Sequence, residues 1–118
     1  MKALSIQEPW ASLIIAGKKT IELRTWRTHY RGPILIHRSG KGGGIVGVAE
    51  IVDIIEIKSF GQFQSMQNRH LVPDAFFMDR FWGWILRNAR PVEFIPCKGR
   101  LGLWEPAEDI LKKAPIPG

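Results

Sequence analysis

The chain has 118 residues, 45% hydrophobic and 24% charged, a composition that fits one globular domain and excludes wholesale disorder or collagen-like repetition. Seventeen Lys/Arg against eleven Asp/Glu give a formal net charge of +6. Apolar runs such as Ala11 to Ala16 fall far short of the roughly 20 residues a membrane span needs, and the single cysteine, Cys97, cannot close an internal disulfide.

Leu4 and Ile6 alternate with Ser5 and Gln7, so Lys2 to Ile6 reads as an opening strand that Glu8-Pro9 interrupts. An acid and a proline occupy the place where a secretory signal needs an apolar core, which predicts a cytoplasmic protein. Pro9 suits a first helical turn; Trp10, Leu13 and Ile14 follow at helical spacing, and Gly17 ends the helix. Thr20 to Trp26 then reads as a strand. Its two-residue period puts Thr20, Glu22, Arg24 and Trp26 on one face and Ile21, Leu23 and Thr25 on the other, towards a core.

Residues 27–33 form a basic loop, and Ile34 to His37 a second β-rich run ending beside Arg38. Ser39-Gly40-Lys41-Gly42-Gly43-Gly44 reads as a flexible connector; a Walker loop would need Gly-Lys-Ser/Thr entering a helix, whereas a strand-like run follows here. Residues 45–57 supply one long bent strand or two short ones, with Gly47 at a bulge or a close backbone approach. From Ser59 to Arg80 the period changes: Phe60, Phe63 and Met66 are three apart and Pro73-Asp74 opens another turn, predicting short helices. Phe81–Leu86, Val92–Ile95 and Leu101–Trp104 read as closing strands divided by turn signals at Asn88, Pro91 and Lys98-Gly99. After Glu105 one helical turn is expected before Pro115 and Pro117. The pattern is α+β: a small curled β-barrel with a short N-terminal helix and further short helices covering it, in a single domain over residues 1–118.

The charge is uneven. Residues 1–38 hold seven Lys/Arg against two acids, leaving +5, and residues 39–118 hold ten against nine, leaving +1. A concentrated positive surface favours polyanions such as RNA, DNA or nucleotides. Within it, Lys19 is a phosphate cation or, if desolvated, a base of lowered pKa, with Lys18 beside it. Glu22 and Arg24 can pair across one strand face. Trp26, near Arg27 and His29, can stack on a base, and Trp10 either packs in the core or does the same. His37 and Arg38 sit at a strand end where they can join a cleft. No His pair has ligand spacing and no Cys or Asp cluster joins one, so neither a metal nor a cofactor is expected.

An ordered series of motifs runs through the chain: Leu4-Ser5-Ile6-Gln7-Glu8-Pro9-Trp10-Ala11, then Gly17-x-Lys19-x-x-Glu22-x-Arg24-x-Trp26, then Arg31-Gly32 before the strand ending in His37, then Gly47 and Gly102-x-Trp104. This series resembles the ASCH domain of the PUA-like superfamily. The resemblance implies a PUA-like β-barrel with a cleft into which Lys19, Glu22 and Arg24 project, and RNA or nucleotide binding there. It also implies an enzymatic alternative, hydrolysis of a modified nucleoside or of RNA, with Lys19 and Glu22 as acid and base. One ASCH-like group that hydrolyses the amide of N4-acetylcytidine uses a threonine nucleophile three positions after the lysine; that position is Glu22 here, which counts against that mechanism. A third reading is a protein-interaction module.

Overall fold

The computed structural model describes residues 1–115 and forms one curled six-stranded sheet with short helices at its faces and end. In chain order the elements are β1 (Lys2–Ile6), α1 (Trp10–Ile15), β2 (Ile21–Arg24), β3 (Gly32–Arg38), β4 (Gly44–Ile57), α2 (Phe60–Ser65) and α3 (Gln67–His70). A 3-10 turn at Asp74–Phe76 precedes β5 (Phe81–Pro96), β6 (Leu103–Trp104) and α4 (Glu108–Lys113). Strand order is β2-β5-β4-β3-β1-β6, with β1 and β3 parallel and every other neighbouring pair antiparallel. The two edge strands are not joined, so the barrel is half closed, and the class is α+β as the sequence pattern indicates. Pro117 lies outside the described residues.

The central strands are covered on both faces, which is why β3 reads as a continuous apolar run rather than an alternating one. Leu4, Ile6, Ile34 and Ile36 point to one side, where they pack with Ile14 of α1 and with Trp84. Ala3 and Leu35 point to the other, with Trp104 and Ile110 of α4. A third cluster, Ile57, Phe63, Val72 and Phe81, seats α2 and the segment after α3 on the far end of the long strands.

Residues 45–57 belong to one long bent strand. Gly47 has both properties expected of it: the β4–β5 register shifts between Ile45 and Gly47, and a Cβ at Gly47 would stand 2.3 Å from Ile15 Cγ2 and 2.6 Å from the Arg90 carbonyl. The expected break between Phe81–Leu86 and Val92–Ile95 is absent, because β5 continues through it for sixteen residues. Asn88 takes φ 56° and Pro91 stands opposite Gly47 where the ladder is already displaced. Left-handed asparagine and a proline without an N–H are tolerated in a bulge as readily as in a turn, so the same residues give both signals.

The site is set up by the end of α1. Gly17 takes φ 78°, and both the Lys18 and Lys19 amides donate to the Leu13 carbonyl at 3.0 Å. This wraps the chain back under the helix before β2 begins, and β2 then pairs with β5 through Glu22 opposite Trp84 and Arg24 opposite Trp82.

Candidate functional site

A cleft of about 600 Å³ opens between α1, β2 and the 71–81 segment. Its floor is a charged triad. Lys19 is buried at 1% exposure and Glu22 at 5%, both unusual for their residue types. Arg24 donates from Nε at 3.1 Å and from Nη2 at 2.8 Å to Glu22 Oε2, and Nη2 also donates to the Ser5 carbonyl at 3.0 Å. Glu22 Oε1 faces Lys19 Nζ at 3.6 Å. Lys19 Nζ donates to the His70 carbonyl and lies 5.0 Å from the centroid of the Trp10 ring.

The two-residue period of β2 is what brings Glu22 and Arg24 to one face. Lys19 has the opposite parity and reaches Glu22 because it lies in the turn before the strand rather than in it. Burial pulls the Lys19 ammonium down from 10.5 to about 8, with Glu22 working in the opposite direction. With Lys19 protonated the triad carries a net charge of +1; deprotonated, it is neutral.

His70 holds this floor without entering it. Its Nε2 donates to the Phe63 carbonyl at 2.8 Å and its Nδ1 accepts from the Val72 amide at 2.9 Å, which fixes a neutral tautomer. Burial lowers its pKa and favours that state. The His70 carbonyl is thereby fixed as the acceptor for Lys19. A backbone acceptor leaves no trace in a sequence, and neither this contact nor the part of Ser5 could be read from residue types.

Trp10 and Trp26 line the cleft, Trp26 resting edge-on against Trp84 with ring centroids 4.8 Å apart. Phe76, Met78 and Leu101, at 61%, 55% and 98% exposure, form an apolar rim that the sequence reading did not single out. Of the sequence candidates, Lys19, Glu22, Arg24 and Trp26 therefore meet in one cavity. Lys18 is exposed at the foot of α1 outside it. Arg27 lies over Trp82 with its guanidinium carbon 5.0 Å from the ring centroid, and Arg38 lies over Phe94 at 5.3 Å. His37 is buried in the floor of a neighbouring cleft. Among the described residues no three His, Cys, Asp or Glu side chains are grouped to hold a metal ion, and no helix is long and apolar enough to cross a membrane.

Comparison with known proteins identifies the family and the fold. Activating signal cointegrator 1 from mouse is 42% identical over 48 residues, and the human protein 40% over 48; the match covers 41% of this chain but 8% of those much longer proteins. Among solved structures, the ASCH protein of Zymomonas mobilis superposes with a TM-score of 0.76 at 16% identity, covering 95% of this chain and 91% of that one. A variant of the same protein gives 0.79 at 15% identity, covering 95% and 94%. These distant structures share the fold, and the family model for the ASCH domain matches residues 4–96. The chain belongs to the ASCH domain family.

Proposed function

We propose that this ASCH domain binds RNA, through a nucleotide held in the Lys19–Glu22–Arg24 cleft. The observation that carries the reading is the cationic triad at the floor of a cavity walled by Trp10 and Trp26. Glu22 holds the arginine plane while Nη1 has no partner among the described residues, and the aromatic walls offer faces for a base, each stacked base contributing about 1–3 kcal/mol. Association of ASCH domains with RNA supports the choice of polyanion, and a cytoplasmic location would suit it. The test is fluorescence anisotropy of labelled single-stranded RNA against wild type, Lys19→Met and Arg24→Met over a range of salt. Affinity and salt slope should both fall in the variants; unchanged values in both would remove the assignment.

One observation favours a hydrolytic second reading. An amine with a pKa of about 8 beside a carboxylate can accept a proton near neutral pH, so Lys19 could activate a water or hydroxyl that Glu22 helps to orient. Turnover of an acylated nucleoside or of RNA, rising with pH towards a plateau above about 8 and lost in Lys19→Met, would establish it. Absence of product under conditions of saturating binding would reject it.

A further inference from the structure

A second cleft of about 830 Å³ adjoins the first and shares Ser5, Ser39 and Leu101 with it. Its walls are the 39–43 turn and the 96–101 segment. Lys41, Lys98 and Arg100 line it, no carboxylate does, and none of the three cations is in an ion pair among the described residues.

The glycine-rich segment is a tight turn here rather than a loose connector. The Gly43 amide donates to the Gly40 carbonyl at 3.0 Å, and a Cβ at Gly43 would stand 2.2 Å from the Arg38 carbonyl. Gly40 and Gly42 take φ 105° and 71°. Among the described residues, the amides of Gly40, Lys41 and Gly42 donate to no carbonyl, which leaves three consecutive N–H groups beside a lysine. Such runs of amides suit an anion.

The floor of this cleft is closed by His37 beneath Gly99, and the imidazole supplies it no donor. His37 is 2% exposed and its Nε2 donates to the Cys97 carbonyl at 2.9 Å. Its Nδ1 is the one buried side-chain nitrogen or oxygen without a partner among the described residues. Gly99 lies directly over it, since a Cβ there would stand 2.7 Å from Nδ1 and 2.4 Å from Ser5 Oγ.

We infer that the second cleft takes the phosphodiester backbone of a single-stranded RNA whose neighbouring nucleotide occupies the first cleft, the strand crossing the ridge formed by Ser5, Ser39 and Leu101. The inference rests on the reading of the first cleft as a nucleotide site and extends it from a nucleotide to a strand. Cations without counter-charges and free amides suit phosphate oxygens, and the shared residues make the path continuous.

The test compares UMP with an eight-residue oligouridylate, using wild type, the exposed triple variant Lys41→Ala/Lys98→Ala/Arg100→Ala, and Lys19→Met. The triple variant should bind the 8-mer at least tenfold more weakly at low salt and lose about 2 from the log–log salt slope, as expected for three phosphate contacts to a single strand. Its UMP affinity should stay within twofold of wild type, whereas Lys19→Met weakens both ligands. In amide NMR spectra, the Gly40, Lys41 and Gly42 resonances should move with the 8-mer and not with UMP. If the triple variant binds the 8-mer as wild type does while Lys19→Met remains impaired, the second cleft is not on the path and the first-cleft reading stands alone. An equal loss for UMP and the 8-mer also overturns the inference, because it would reflect the overall field and not a local contact. Absence of binding of either ligand to wild type removes both readings.

Discussion

Lys19 is held where its charge is costly, and that cost is measurable. Its pKa falls from 10.5 in an unstructured chain to about 8 in the fold, chiefly through burial. Between those values the unfolded chain holds a proton that the folded chain has released, so this group makes stability rise with pH from about 8 to 10.5, and its penalty is complete below about 8. The full difference corresponds to an upper figure of about 3 kcal/mol. Urea unfolding of wild type and Lys19→Met at pH 7 and pH 10 should show wild type gaining on the variant at the higher pH. A constant gap between the two would show that Lys19 titrates normally. Glu22 is the partner that makes the cation tolerable. Glu22→Gln should therefore cost about 3 kcal/mol, since removing one member of a buried pair leaves uncompensated charge. Adding Lys19→Met to that variant should recover part of the loss, and strictly additive unfolding energies would show that the two side chains do not interact. Residue types and two-residue spacing were enough to pair Glu22 with Arg24; Lys19 joined them only through the family resemblance, because its place depends on a turn, and the His70 carbonyl, about fifty residues away, was not legible at all.

The long strands show where local signals fail. β1 was legible to the residue, and α1 nearly so, because their periodicity and the Gly17 stop agree with the tertiary fold. Asn88 and Pro91 were misleading, because a bulge in a sixteen-residue strand and a turn between two short ones call for the same backbone freedom. What distinguishes them is the partner: β4 is fourteen residues long and pairs with β5 on both sides of the displacement. At Gly47, α1 and β5 both press close against β4. Gly47→Ala would drive a methyl against Ile15 Cγ2 at 2.3 Å and the Arg90 carbonyl at 2.6 Å, and the carbonyl cannot turn aside as a side chain can. A loss of about 2 kcal/mol is expected from this overpacking, read from the urea midpoint. Because α1 carries Trp10 to the rim of the cleft, ligand affinity should fall together with stability. An alanine variant as stable as wild type would mean that the helix and strand separate without cost.

At the scale of the whole molecule the charge pattern is reorganised by the fold. The sequence places nearly all the net positive charge in residues 1–38, yet several of those cations are committed elsewhere: Lys2 to Glu105 at 3.0 Å, Arg31 to Asp53 at 4.0 Å, and Arg27 and Arg38 over aromatic rings. Lys19 and Arg24 remain in the first cleft, while the cations of the second come from residues 39–118, a part of the chain that is nearly neutral in sum. Net charge by segment therefore pointed towards a polyanion but did not find the unpaired cations of the second cleft, because folding decides which cations keep a counter-charge. The shape of that surface adds a further constraint. Lys19 is almost inaccessible at the bottom of the cavity, and an exposed apolar rim surrounds the mouth, so a base can reach the aromatic walls only after leaving its stack. Unpairing and unstacking a base costs a few kcal/mol in a duplex and much less in a single strand. An RNA 8-mer should accordingly bind at least tenfold more tightly alone than when annealed to its complement, at equal salt and in the same anisotropy assay. Equal affinities would place the contact on the outer phosphates, where depth is irrelevant, and Trp26→Ala would then leave binding unchanged. If the cleft takes an unpaired base, the same substitution weakens the single strand and leaves residual duplex binding nearly as it was.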